Sequence, residues 1–302
     1  MNSKKFSLVI KKPIKDFRKQ IIVDSDKSIS IRSFLLGSIS QGVSLVKNVL
    51  ESEDVFSTIN CLQKLNIKVL SLGNKTYKIF GKGLGSYKAK KASKLYFGNS
   101  GTLARLIIGI VTSTPNINLK IFGDKSLNKR SMKKLIILME SFGAEFFPKK
   151  KYFFPLRISS TNYPIGISYR SSTSAQLKSA VIPAGLNSYG NTEIIENYKS
   201  RDHTENMLKK NNHAIKITNG NSKKIKIFGK NNLDKFSINV PGDPSSAAFF
   251  TALTLLKKNS YLKIKKVGLN PTRIGFYSLL KKSGAKITFS NKKKVNNELV
   301  GD

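Results

Sequence analysis

Small polar turns recur in this chain at a nearly fixed interval, and the recurrence restricts the fold more than any other feature. DKSIS (Asp26–Ser30), GNSGT (Gly98–Thr102), STSAQ (Ser172–Gln176) and GDPSSAA (Gly242–Ala248) place Ser28, Ser100, Ser174 and Ser246 at intervals of 72, 74 and 72 residues. A second set, KLNIKV, SFGAEF, NNHAIKI and KSGAKI, closes a helix into a strand each time, with breakers Asn66, Gly143, Asn212 and Gly284 at intervals of 77, 69 and 72. Each interval reads as one βαβαββ unit whose first helix is apolar nearly all round, as in LARLIIGIV and SAAFFTALTLL, and therefore buried. Four such units predict an α/β chain with helices inside and sheets outside. The polar turns then fall at buried helix N-termini, where free backbone N–H groups suit an anion. A simple N-cap at Asn99 or Ser100 accounts for GNSGT on its own.

Among 302 residues, 39% are hydrophobic and 24% charged, which is a globular balance rather than a disordered one. The apolar runs Phe34–Ile39 and Leu106–Val111 are far below the ~20 residues of a membrane span. Residues 1–25 hold no signal-peptide apolar core. Cys61 is the sole cysteine, and His203 and His213 are the only histidines, so neither a disulfide nor a metal cluster is expected. A reducing cytoplasm is the expected location, with no membrane partner. The net charge of +37 invites a nucleic-acid reading. Its lysines are spread along the whole length with no aromatic-interleaved patch, so general enrichment in lysine explains the charge and no nucleic-acid partner is expected. Arginine is scarce and more informative. Arg18, Arg32, Arg105, Arg130, Arg157, Arg170, Arg201 and Arg273 are all there are, and a planar fork is kept where bidentate carboxylate or phosphate binding matters.

Seven ordered strings carry a resemblance that spans nearly the whole chain. They are SDKSISIRSFLLG, GNSGTLARL, GDKSLNKRSM, TSAQLKSA, KSRDHTENML, VPGDPSSAAFF and GLNPTRIGF. In order and spacing they resemble the 5-enolpyruvylshikimate-3-phosphate synthase family, and its class II branch in particular. The resemblance implies an inside-out α/β barrel, the enolpyruvyl transferase fold. It also implies transfer of the carboxyvinyl group of phosphoenolpyruvate to the 5-hydroxyl of shikimate 3-phosphate, with release of phosphate and with no metal or organic cofactor. Position by position, it assigns Lys27 to a place between both substrates and to catalysis. Ser28, Arg32, Ser174, Ala175, Gln176, Ser200 and Arg201 are assigned with Lys27 to shikimate 3-phosphate. Gly101, Arg130, Gln176 and Lys27 are assigned to phosphoenolpyruvate, with Asn99, Thr102 and Arg105 as supports. Asp202, His203, Glu205, Asp243, Ser245, Asn270 and Arg273 read as structural, while Arg18, Arg157 and Arg170 match no motif.

Ile31, Ser131 and Pro183 depart locally from that family's pattern, which commonly has histidine, proline and an unbroken apolar helix there. The larger departure is in copy number, since the family carries six units and four are present here, the last ending at NNELVGD. The family's catalytic aspartate, its next arginine motifs and a late lysine match nothing in this chain. Residues 23–239 are expected to form a complete three-unit domain with the shikimate 3-phosphate site. Residues 1–22 and 240–302 are expected to form part of the other, with KKFSLVIKKP as its first strand and Ala247–Leu256 left with an exposed apolar face. The sequence is expected to be incomplete, either as a clipped reading frame or as one piece of a split protein that a C-terminal fragment would complement, with weak shikimate 3-phosphate binding and negligible turnover by itself; a full-length protein of this family is expected to be a monomer. Two other readings stand beside this one. The related UDP-N-acetylglucosamine enolpyruvyl transferases carry a lysine-asparagine pair where this chain has Lys27-Ser28. A degenerate, non-catalytic paralogue would use its charge to bind anions or nucleic acid.

Overall fold

The computed structural model describes residues 7, 9, 11–90 and 93–302. Nine helices are formed among them: α1 (Lys27–Ile39), α2 (Glu53–Lys64), α3 (Gly101–Thr112), α4 (Lys125–Asn128), α5 (Lys133–Glu140), α6 (Ala175–Leu186), α7 (His203–Leu208), α8 (Pro244–Leu256) and α9 (Gly275–Lys282). The second and third units share one sheet plan. In the second, Lys94–Tyr96 pairs parallel with Asn118–Phe122, which pairs antiparallel with Leu156–Ser159 and through it with Glu145–Phe147. In the third, the same order runs Ser168–Ser171, Asn191–Glu196, Lys223–Phe228 and Ile215–Thr218.

The first and fourth units borrow their leading strand from a distant part of the chain. Leu233–Asp234 and Ser237–Asn239 pair parallel with Ser40–Lys47. Arg18–Ile22 pairs parallel with Tyr261–Lys265. The two connecting segments lie side by side, with Asp26 N–H donating to Pro241 O at 2.8 Å and Asp243 N–H to Asp24 O at 2.8 Å. KKFSLVIKKP, expected as a strand, lies largely outside the described residues.

Helices inside and sheets outside is the arrangement observed. In α1, α3 and α6 nearly every residue past the first turn is buried, Ile31 and Phe34 completely so. α3 and α6 approach so closely that a Cβ on Gly109 would stand 2.2 Å from the Ala180 carbonyl oxygen. The helix α6 runs unbroken through Pro183, since one proline near its C-terminal end removes a single main-chain hydrogen bond.

Capping corrects the alignment of the turns. The N-caps of α1, α3, α6 and α8 are Asp26, Ser100, Ser174 and Asp243, each accepting a main-chain N–H in the first turn. Ser28 and Ser246 therefore lie inside their helices, and aspartate does in the outer units what serine does in the middle ones. KSGAKI also departs from expectation. The chain leaves α9 through Gly284 at φ +90° and runs on without a ladder. Glu298–Gly301 takes its partners from Lys293–Val295 and Val267–Gly268 instead.

α8 is the exception to burial. Only Pro244 and Ala247 are buried, while Phe249 is 79% and Leu256 86% exposed. Its N-terminus is fixed by Arg273, whose guanidinium reaches Asp26 Oδ2 at 3.0 Å and Asp243 Oδ1 at 2.9 Å, tying the caps of α1 and α8 together. Arg273 Nη1 also lies 3.3 Å from His203 Nε2, and His203 Nδ1 lies 2.8 Å from Glu298 Oε1. Burial pushes the Glu298 carboxyl up, but hydrogen bonds from His203, Asn270 and Asn206 outweigh it and hold the group below the usual carboxylate range.

Two outcomes follow for stability. Gly109→Ala forces α3 and α6 apart and should cost about 2 kcal/mol or more, measured by denaturant unfolding. Glu298 titrates lower in the folded state than in the unfolded one, so its contribution is complete above about pH 4.3 and is lost as pH falls through that value toward the folded one. Glu298→Gln should therefore flatten the pH dependence of the urea midpoint between neutral and acid conditions, whereas an unchanged slope would contradict the assignment.

Candidate active site

Three chain segments far apart in sequence meet where the inner helices begin. Ser28 and Arg32 from α1, Ser174, Ala175 and Gln176 from the start of α6, and Ser200 and Arg201 from the loop before α7 line one cleft of about 390 Å³. All seven were expected at a shikimate 3-phosphate site. Thr102, Thr173, Lys199 and Thr272 line it as well. A larger groove of about 880 Å³ lies between α2 and residues 88–90 and 93–96 and contains none of the expected residues.

Each cleft residue is positioned by a nameable contact. Ser174 caps α6, its hydroxyl accepting from Leu177 N–H. Arg32 is buried and braced on three sides: Nε donates to Thr204 Oγ1 at 3.0 Å, Nη2 to Ser179 Oγ at 3.1 Å and Nη1 to Ser28 O at 3.1 Å. Burial pushes its pKa down to about 10, which still leaves it charged at neutral pH. Arg201 is exposed to the cleft, and burial with nearby Arg273 also lowers its pKa. Among the described residues, Arg32, Lys199 and Arg201 make no salt bridge, although the charges of Asp26 and Glu205 reach Arg32 and those of Asp26 and Asp243 reach Arg201. Ser200 is buried, and its hydroxyl donates to Glu196 Oε1 rather than into the cleft.

A second group lies beside the first. Arg130 Nη2 donates to Asn99 Oδ1 at 2.6 Å, and Arg105 Nη1 to Gly101 O at 3.1 Å. A Cβ on Gly101 would stand 2.7 Å from Arg105 Nη1 and 3.4 Å from Arg130 Nη1. Gly101, assigned above to phosphoenolpyruvate, leaves room for these two guanidinium groups. Burial and the neighbouring charge of Arg130 lower the pKa of Arg105, and neither arginine makes a salt bridge among the described residues. Gln176 Nε2 donates to Thr102 Oγ1 at 3.0 Å and joins this group to the cleft. Lys27, half exposed, is held by Asp54 at 3.1 Å and does not line the cleft.

The residues read as structural are found in that role. Asn270 donates to Glu298 Oε2 at 3.0 Å and to Asp202 Oδ1 at 2.7 Å, and Ser245 hydroxyl accepts from Arg273. Lys199, Thr173, Thr272 and Asp54 were not anticipated. Lys199 and Thr173 adjoin expected residues, and Thr272 lies in the GLNPTRIGF string. Asp54, an acidic residue in the first turn of α2, has no distinguishing pattern. Among the described residues, no group of three or more His, Cys, Asp or Glu could hold a metal ion, and no helix is long and apolar enough to cross a membrane.

The arrangement presents two adjacent groups of cations, joined through the Gln176–Thr102 hydrogen bond. Residues 11–300 match the family model for EPSP synthase (3-phosphoshikimate 1-carboxyvinyltransferase). The chain is 39% identical over 292 residues to the 3-phosphoshikimate 1-carboxyvinyltransferase of Petrotoga mobilis, covering 96% of this chain and 67% of that one. With the Leuconostoc mesenteroides protein of the same name it shares 40% over 270 residues, or 89% and 61% of the two chains. The solved EPSP synthase of Acinetobacter baumannii superposes with a TM-score of 0.84 at 34% identity, over 95% of this chain and 64% of that structure. The chain thus spans about two thirds of the length of these relatives. By the shared sequence and the shared fold, the chain belongs to the EPSP synthase family.

Proposed function

We propose that this chain binds shikimate 3-phosphate in the cleft between α1, α6 and the 199–201 loop, and phosphoenolpyruvate beside Gly101, Arg105 and Arg130. The reaction served is transfer of the carboxyvinyl group to the 5-hydroxyl of shikimate 3-phosphate, by addition and then elimination of phosphate. One observation carries the reading: Arg32, Lys199, Arg201, Arg105 and Arg130, drawn from three units, form two adjacent groups of cations that make no salt bridge among the described residues. The substrates together bring on the order of five to six negative charges. A cation set fixed before the substrates arrive loses little to reorganisation when charge builds in the tetrahedral intermediate.

Each side chain has work suited to its chemistry. The first turn of α6 offers main-chain N–H groups to a phosphate. Arg32, braced by Thr204 and Ser179, presents a fixed fork to a carboxylate. Gln176, hydrogen-bonded to Thr102, stands where both substrates are reached. Lys27 completes the set on leaving Asp54 for the ligand. No metal or organic cofactor enters the reading, and the buried lone thiol of Cys61, its pKa pushed up by burial to about 12, suits a reducing cytoplasm.

The borrowed strands support a division of the chain into two bodies. Residues 23–239 would form a closed three-unit domain holding the shikimate 3-phosphate cleft. Residues 1–22 and 240–302 would belong to a second body, joined through the paired segments at 24–26 and 241–243.

A titration with shikimate 3-phosphate, followed by heteronuclear NMR, should shift the signals of Ser174, Gln176 and Arg201. Stationary signals at saturating ligand would overturn the assignment. Arg130→Ala should weaken phosphoenolpyruvate binding by roughly tenfold or more, measured calorimetrically, and should change shikimate 3-phosphate binding much less.

A further inference from the structure

Four charged side chains under the phosphate end of the cleft, three of them buried and Lys223 partly so, have no assigned part in binding. Lys178, on α6, is wholly buried, with Nζ 2.8 Å from Glu196 Oε1 and 2.7 Å from Glu205 Oε1. Lys223 Nζ lies 3.0 Å from Glu205 Oε1 and 3.6 Å from Glu196 Oε2. The four formal charges cancel. Both carboxylates are only 1% exposed, and Glu196 Oε2 and Glu205 Oε2 have no hydrogen-bond partner. Ionised carboxylates in such a place depend on the two ammonium groups.

Stability does not account for the arrangement, because well-packed apolar residues commonly serve a core as well as a buried ion pair or better. Its connections point to the cleft. Glu196 Oε1 accepts both the main-chain N–H of Ser200, at 3.0 Å, and its hydroxyl, stapling the loop that carries Lys199 and Arg201. Lys178 N–H donates to the carbonyl of Ser174, so the helix that forms the opposite wall also carries the ammonium that holds Glu196. Thr204, next to Glu205, accepts from Arg32 and donates to Ser179. Three walls of the cleft thus meet at Lys178 and its immediate neighbours.

We propose that Lys178 is a positioning and charge-balancing residue for phosphate recognition. Through Glu196 it fixes Ser200 and Arg201, and it cancels carboxylate charge that would otherwise repel a phosphate dianion. Arg32, Lys199 and Arg201 then act on the ligand unopposed. The proposal rests on the reading that this cleft takes the phosphate of shikimate 3-phosphate.

Calorimetry with shikimate 3-phosphate, shikimate and inorganic phosphate tests it, with thermal unfolding to verify the fold of each variant. Lys178→Met leaves one uncancelled negative charge beneath the cleft. It should weaken shikimate 3-phosphate binding by at least about tenfold and shikimate binding much less. Adding Glu205→Gln restores neutrality and keeps the Glu196–Ser200 staple, so most of the lost affinity should return. Equal losses on both ligands, or a deeper loss in the double variant, would overturn the proposal and leave Lys178 a packing residue. Should Lys178→Met fail to fold, Glu205→Gln alone decides the matter, because one extra positive charge must tighten phosphate-ester binding more than shikimate binding; an equal effect on both overturns the proposal. Wild-type protein that binds inorganic phosphate but not the ester would refute the substrate reading while leaving the series to be run on phosphate. Wild-type protein that binds neither refutes both.

Discussion

The close approach of α3 and α6 is the constraint on which the site depends. Gly109 lets the two backbones touch where a single methyl group would collide with the Ala180 carbonyl. Two helices packed that tightly side by side bring their first turns together. The Thr102–Gln176 hydrogen bond across the gap between them ties the two groups of cations together. Residues 72 to 74 apart in sequence become neighbours because successive repeats stack helix on helix. The site is a by-product of how the repeats pack, which the unit's own residues then refine.

Much of this was legible in the chain. The period located the inner helices, their all-round apolar character predicted burial, and the scarcity of arginine drew attention to Arg32, Arg105, Arg130, Arg201 and Arg273. Local pattern was a poorer guide where a contact is made between repeats. Asp54 looks like any first-turn acid until α2 packs against α1 and brings it to Lys27. Lys178 sits in an apolar helix with nothing in its own unit's pattern to show that Glu196 and Glu205 close around it. The serine register misled for a different reason: aspartate and serine cap equally well, so matching serines alone shifted the outer turns by two or three residues. KSGAKI kept the helix-ending glycine of its counterparts but not their strand, because pairing is decided by the neighbouring strands.

The charge of +37 has a reading that the total alone does not reveal. Some lysines are exposed on strands, as Lys78 and Lys216 are, and others carry their charge over a ring, as Lys226 does over Phe228 at 5.4 Å. Acidic residues are few, and several of them are spent on structure: Asp26 and Asp243 on Arg273, Glu196 and Glu205 on Lys178 and Lys223. A cleft left with cations and no acids is the natural result. In a chain this basic, the informative charges are the 17 acidic residues and where they are placed.

The borrowed strands set an order of events as the chain is made. Arg18–Ile22 is made well before its partner, since among the described residues its ladder is with Tyr261–Lys265, about 240 residues later. At roughly 5 to 20 residues per second, that strand waits on the order of 12 to 50 s for its partner to be synthesised. Through that interval its exposed edge must be kept from pairing with other chains, and the basic run that contains it, with Lys11, Lys12, Lys15, Arg18 and Lys19, supplies the repulsion that does so.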